Sequence, residues 1–207
     1  MKKPLNINEW ARKDHFYFFK DFSDPFFGIC TEIDCTAAYQ KARELKVSFF
    51  LYYLHKSLKA ANEVEEFRYR IESENVVVYD VVHASPTIKR NDNTFGFSYI
   101  DFIENFEEFL ISAKKSIKKT QNEKGLIPAV KNENVIHYSE LPWIKFTSIK
   151  YPQNSPKNDS IPKITFGKDF IHNNKKLMPV CIHVNHALMD GFHVSKYLEL
   201  FQNFLNE

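Results

Sequence analysis

Glycine is scarce in this 207-residue chain, with five residues in all. That scarcity nearly excludes a phosphate-cradling loop, and neither a GxGxxG pattern nor a P-loop occurs, which argues against Rossmann-type nucleotide enzymes and P-loop kinases. Cysteine is also sparse. Cys30, Cys35 and Cys181 form no CxxC pair and no metal-ligand spacing. The odd count suits a reducing cytoplasm and predicts no disulfide scaffold and no metal centre. No uninterrupted apolar run approaches the roughly 18 residues that span a bilayer, and the basic start, Met1-Lys2-Lys3-Pro4, is not followed by the apolar core of a signal peptide. A strong net charge is missing as well: 28 basic against 26 acidic residues leave +2, too little to draw in nucleic acid or an anionic membrane. These absences predict a cytoplasmic protein with a small-molecule partner.

What the chain does have is apolar and aromatic bulk. Hydrophobic residues make up 43% and aromatics 15%, including 20 Phe and 10 Tyr. One domain over 1–207 with a substantial core follows, with enough aromatics left to line a cavity or a subunit interface. There is no internal repeat, no low-complexity tract and no linker that would divide two domains. Loops are expected at 121–134 and 151–163, both rich in Asn, Lys and Pro. Helical spacing predicts helices near 36–46, 48–62, 103–120 and 192–206; in the last, Val194, Leu198, Phe201 and Leu205 share one face. Strands are predicted at 75–82, 95–101, 144–151 and 177–185. In the last of these Met178, Val180, Ile182 and Val184 alternate with Pro179, Cys181 and His183. Helices and strands mix without a regular βαβ repeat, so the fold class is α/β: a two-layer sandwich in which helices pack on one side of a mixed sheet.

The stretch with chemical promise follows the last strand. Asn185-His186-Ala187-Leu188-Met189-Asp190-Gly191 reads as strand, histidine, tight turn, helix. Histidine titrates near neutral pH and suits proton abstraction, and the end of a rigid strand is a good place to hold a base. Taken alone, a histidine at a strand end is more often structural.

Four ordered motifs carry a resemblance across essentially the whole chain. His186-Ala187-Leu188-Met189-Asp190-Gly191-Phe192-His193-Val194 resembles the C-terminal signature of the chloramphenicol acetyltransferases. Trp10-Ala11-Arg12-Lys13-Asp14-His15-Phe16 is similar to that family's N-terminal Trp-x-Arg-Lys-Glu-His-Phe. Glu66-Phe67-Arg68 with Tyr79-Asp80 resembles its Glu-Phe-Arg…Trp-Asp segment. Ser139-Glu140-Leu141-Pro142-Trp143-Ile144-Lys145-Phe146-Thr147-Ser148 resembles its Pro-Trp segment.

The resemblance implies an acetyl-CoA-dependent O-acetyltransferase of the antibiotic-resistance type, acting by direct transfer in a ternary complex and needing no metal. His186 would be the general base and Ser139 the oxyanion donor, with Thr165 near the same intermediate. Asp190 would pair with Arg12 to hold the loop in shape, where a His–Asp dyad is the tempting alternative, and Gly191 would open the last helix. Trp143 and Lys168 would lie along the coenzyme A channel, and His193 would pack or cap the last helix. A homotrimer is implied, with His186 of one chain facing Ser139 and the acceptor pocket of its neighbour. For that pocket the resemblance points to Phe18, Phe19, Phe27, Phe95, Ile149 and His183. Several pocket positions depart from the family: Ile127 and Ile149 stand for Phe, Tyr151 for Leu, Lys163 for an aliphatic residue, His183 for Gln, and Asn185 for the first of two histidines. A different acceptor alcohol, or an inactive relative that sequesters an apolar ligand, stay open as alternatives. A lipoyl-dependent acyltransferase core shares His-x-x-x-Asp-Gly but would be expected to carry a lipoyl domain.

Overall fold

A computed structural model describes residues 1–126, 133–152 and 159–207. The chain runs through β1 (Lys2–Pro4), α1 (Lys13–Phe19), β2 (Phe26–Asp34), α2 (Thr36–Glu44), α3 (Phe49–Glu63), β3 (Tyr69–Glu72), β4 (Asn75–Tyr79), β5 (His83–Lys89) and β6 (Phe95–Phe97). It continues through α4 (Phe106–Asn122), β7 (Val135–Leu141), β8 (Lys163–Gly167), β9 (Phe170–His172), β10 (Lys175–Asn185) and α5 (Gly191–Leu205). One mixed sheet has the order β2-β10-β8-β7-β5-β6, with β9 paired to β10; β1, β4 and β3 form a second, smaller sheet. The α/β class with a mixed sheet agrees with the sequence.

The period-two pattern of β10 sorts the large sheet into two faces. Met178, Val180, Ile182 and Val184 join Ile164, Phe166, Ile136 and Tyr138 in the main core, which α2, α3, α4 and α5 cover. The opposite face carries Cys181 and His183, opposite Thr165 and Lys163 of β8 and Cys30 and Gly28 of β2. Pro179 lacks a ladder N–H but stands where β9 pairing has ended, at Leu177, and β8 pairing begins only at Val180; no bond is lost there. A second core of Phe16, Tyr69, Ile71, Val76 and Val78 takes in Ala187 and Leu188, so it pins the segment that follows β10.

Two expectations need correction. The stretch 144–151 is not a strand. Strand β7 ends at Leu141, Pro142-Trp143 turns the chain, and Trp143 and Ile144 are exposed. The paired strands are β7 and β8, where Ile136, Tyr138, Ile164 and Phe166 alternate with polar residues; β8 opens at Lys163, the last residue of the expected loop. The cysteines are not all free: Cys30 and Cys181 form a disulfide, and Cys35 alone is a buried thiol. Antiparallel register sets positions 30 and 181 opposite each other, a pairing that spacing along the chain does not reveal. Closing a separation of 151 residues removes on the order of 4–5 kcal/mol of unfolded-chain entropy in the loop-closure account.

Among the described residues no helix is long and apolar enough to cross a membrane, and no cluster of three His, Cys, Asp or Glu is placed to hold a metal.

Helix α3 is tied into the sheet by a polar link inside the core. Ser57 Oγ bridges the hydroxyls of Tyr138 on β7 and Tyr197 on α5, at 2.9 and 2.6 Å. Burial holds both phenols neutral, well above their ordinary pKa. Replacing Ser57 by Ala strands two buried hydroxyls and should cost roughly 2–3 kcal/mol in urea unfolding. The Ser57→Ala/Tyr138→Phe/Tyr197→Phe triple variant, with no stranded group, should lose less than Ser57→Ala alone.

Candidate active site

His186 is the first residue beyond β10, and its backbone is held from three sides. Its N–H donates to the carbonyl of Pro25 just before β2, at 2.8 Å. Its carbonyl accepts from Arg12 Nη2 at 3.1 Å. The next turn is shaped by Asn185, whose side-chain oxygen accepts from Ala187 N at 2.9 Å while its carbonyl accepts from Leu188 N at 3.0 Å. The imidazole lies stacked on Phe19, with ring centroids 4.1 Å apart, and touches Phe27 at 4.8 Å.

Its hydrogen bonding fixes the tautomer. Nδ1 lies 3.1 Å from the Met189 carbonyl. A carbonyl only accepts, so Nδ1 carries a proton, and the neutral ring in this arrangement has its lone pair on Nε2. Among the described residues nothing bonds Nε2. A neutral imidazole with a fixed ring plane and a free lone pair is what a general base requires.

Asp190 does not touch the His186 ring. Its Oδ2 is ion-paired with Arg12 Nη1, and its Oδ1 accepts from Phe192 N at 3.0 Å, capping α5. His193 completes the cap by accepting from Asp190 N at 3.1 Å, and its Nε2 approaches Glu66 at 3.4 Å. Burial pushes the Asp190 carboxyl up, but His193, the Phe192 N–H and Arg12 outweigh it and leave the carboxyl below its ordinary value. Gly191 opens α5, with only Ile29 Cδ1, at 4.0 Å, near the place a side chain would take.

Ser139 and Thr165 lie elsewhere on the sheet. Ser139 of β7 stands opposite Thr165 of β8, Thr165 opposite Cys181 of β10, and Cys181 opposite Cys30 of β2. These four residues make a row across one face. Thr165 is fully buried, and its hydroxyl is hydrogen-bonded to that of Tyr151. His186 is five residues further along β10 than Cys181. At about 3.3 Å per residue and about 4.8 Å per strand, His186 and Ser139 of one chain are roughly 20 Å apart.

The next row on that face is His137, Lys163, His183 and Gly28. Lys163 is 7% exposed, pairs with Asp159 at 2.6 Å and lies 4.0 Å over the Phe26 ring. Burial and the Lys163 charge lower the pKa of His183. Burial raises the Tyr151 hydroxyl to about 12. The His183 ring covers Gly28 so closely that a Cβ there would stand 2.5 Å from Nε2. Asp24, Phe26, Ile149, Tyr151, Lys163 and His183 enclose a pocket of about 260 Å³.

A larger recess of about 700 Å³ is lined by Ser139, Trp143, Phe95, Thr87 and Lys89. Trp143 is exposed beneath the Lys89 ammonium at 5.6 Å, and Lys168 is exposed at the end of β8. The residues expected to hold an acceptor are therefore distributed within one chain. Phe19 and Phe27 enclose His186, Ile149 and His183 line the small pocket, and Phe95 lines the recess. Phe18 is exposed on α1 against Phe19 and Phe22, and Ile127 lies outside the described residues. Sequence reading missed the Met189 carbonyl and the turn-forming side chain of Asn185, because neither bond is visible before the turn is built.

The family model for chloramphenicol acetyltransferase matches residues 3–202. A chloramphenicol acetyltransferase of a Klebsiella species is 28% identical over 204 residues, covering 98% of this chain and 93% of its own. A solved chloramphenicol acetyltransferase superposes with a TM-score of 0.91 at 33% identity, covering 99% of this chain and all of its own. The fold extends to a probable dihydrolipoamide acetyltransferase of Listeria monocytogenes, with a TM-score of 0.67 at 13% identity over 98% of this chain and 93% of that one.

Because Arg12 joins the Asp190 carboxylate to the His186 carbonyl, Asp190→Asn should disturb the loop while leaving the base in place. Acetyl-transfer assays should show kcat reduced by about 10- to 100-fold with residual activity, and thermal unfolding should show a loss of roughly 2–4 kcal/mol from the unpaired guanidinium. Normal activity at unchanged stability would sink the assignment.

Proposed function

The chain belongs to the chloramphenicol acetyltransferase family, and from that premise we propose how its residues transfer an acetyl group. It is an acyltransferase that acetylates a hydroxyl of chloramphenicol or a related small alcohol at the expense of acetyl-CoA. The observation that carries the mechanism is the His186 ring, with Nδ1–H donated to Met189 and Nε2 free. Nε2 takes the proton of the acceptor hydroxyl as its oxygen attacks the thioester carbonyl. The Ser139 hydroxyl donates to the oxyanion that develops, with Thr165 beside it in the row. As the tetrahedral adduct collapses, the imidazolium returns its proton to the departing thiolate. No acyl-enzyme forms, and the shared site supplies much of the rate through proximity.

The site is shared between copies of the chain. A base and an oxyanion donor must reach the same reacting carbon, and roughly 20 Å between His186 and Ser139 of one chain forbids that. We place His186 of one copy opposite Ser139 and the acceptor pocket of the next, in a cyclic homotrimer. The exposed Trp143 ring suits stacking under an adenine, and Lys89 and Lys168 suit the phosphates of coenzyme A. A supply of acetyl-CoA puts the work in the cytoplasm, and acetylating an antibiotic there would confer resistance.

Subunit complementation tests the shared site. His186→Ala should lower kcat by roughly 10³-fold and Ser139→Ala by about 10²–10³-fold. Co-refolding the two variants in equal amounts should restore about a quarter of the wild-type sites, because a random trimer pairs an intact His186 with an intact Ser139 that often. Recovery no greater than the sum of the separate variants would place both residues of a site in one chain.

The acceptor end of the pocket holds the buried Lys163–Asp159 pair where the family has an aliphatic side chain. An ion pair facing a neutral amphiphile costs desolvation, which supports a preference for a more polar alcohol over chloramphenicol. Lys163→Leu should lower the KM for chloramphenicol roughly tenfold with little change for acetyl-CoA. An unchanged chloramphenicol KM would remove Lys163 from the acceptor site.

A further inference from the structure

Cys30 and Cys181 stand opposite each other at the fifth of nine Cα pairs that join β2 to β10. Their sulfurs are bonded, and their Cα atoms are 4.0 Å apart. Among the described residues β10 is the sole strand partner of β2, which is an edge of the large sheet. The far end of β2 is tied a second time, because Gln202 of α5 exchanges two hydrogen bonds with the Asp34 backbone, at 3.0 and 2.8 Å. The near end is held by its ladder, by the disulfide at mid-strand and by the Lys163 ammonium over the Phe26 ring. That near end meets the base: Phe27 packs against the His186 ring, and the carbonyl of Pro25 takes the His186 N–H. On the sheet face the disulfide is also the neighbour of Thr165, in the row that begins at Ser139.

We infer that the Cys30–Cys181 disulfide is a positioning clasp for the base: it locks the register of edge strand β2 on β10 and so holds Phe27 and the Pro25 carbonyl against His186. A one-residue slip of a strand turns every side chain to the other face. Here it would take Phe27 off the imidazole and move the carbonyl that anchors the His186 backbone. A covalent tie at the midpoint of the ladder forbids the slip. The inference rests on His186 acting as the base.

The clasp opens by thiol–disulfide exchange with a dithiol reductant. One thiolate of the reductant attacks a protein sulfur and gives a mixed disulfide, and its second thiol closes a cyclic disulfide. Two electrons and two protons are delivered to Cys30 and Cys181 as thiols. In a reducing cytoplasm the open pair is the resting form, so activity of this chain reports the oxidation of a pair that does no chemistry on the substrate.

The test compares the purified full-length enzyme in oxidised and dithiol-reduced form. The state of each sample is fixed by alkylation and intact mass, and its fold by far-ultraviolet circular dichroism at the assay temperature. Reduction should lower kcat about tenfold while the KM for acetyl-CoA stays within about twofold, since molecules whose β2 has slipped lose the aligned base without losing the co-substrate. Reoxidation should restore kcat. Cys30→Ser should show the reduced value under both treatments, and reduced wild type supplies the measurement on an unaltered sequence if that variant fails to fold. A reduced, natively folded enzyme that keeps kcat within twofold overturns the inference. So does an enzyme that alkylates at all three cysteines even after oxidation. His186→Ala is run alongside: activity retained in that variant would sink the base assignment and leave the disulfide measurement standing.

Discussion

The guanidinium of Arg12 holds the turn between β10 and α5 in shape. It donates to the Asp190 carboxylate and to the His186 carbonyl, and so spans the turn between the sheet and the last helix. Each partner then has a second duty. Asp190 caps α5 with its other oxygen, and His186 sends its Nδ1 proton to Met189 inside the same turn. The second core closes the underside, with Ala187 and Leu188 against Phe16, Tyr69 and Val78. This closed set of backbone bonds keeps the histidine in one tautomer and one ring plane without a carboxylate against its ring.

The sequence revealed the parts whose signals are local. Alternation in Met178–Val184 and the helical stripe Val194, Leu198, Phe201, Leu205 correspond to β10 and α5, the two elements that flank the base. Legibility failed where pairing decides. Strands β7 and β8 put Ser139 and Thr165 in one row, but these are short segments of seven and five residues, and nothing in Val-Ile-His-Tyr-Ser-Glu-Leu or Lys-Ile-Thr-Phe-Gly says which strand pairs with which. The apolar run after Pro142 looked like a strand and is instead an exposed turn around Trp143. The Cys30–Cys181 bond was hidden for the same reason: only the register of β2 on β10 brings together residues 151 apart.

The division of the large sheet into two faces explains where chemistry is possible. The face toward the helices is packed with Val, Ile, Phe and Tyr, and its polar links, around Ser57 and between Tyr53 and Glu140, are satisfied internally. The other face carries Ser139, Thr165, His183 and Lys163. Polar groups sit on that face without disturbing the core. The pocket around Lys163 and His183 can thus drift in polarity while the turn after β10 and the fold stay unchanged.

The contact between Gly28 and His183 limits the routes that drift can take. The imidazole fills the space a side chain at position 28 would need, and it is held there by Tyr151 on one side and Cys181 on the other. The obstruction is the ring edge of one side chain, so a residue larger than glycine at 28 needs the imidazole to swing aside or a smaller residue at 183. The two positions therefore share one volume, and a gain at either is a displacement at the other.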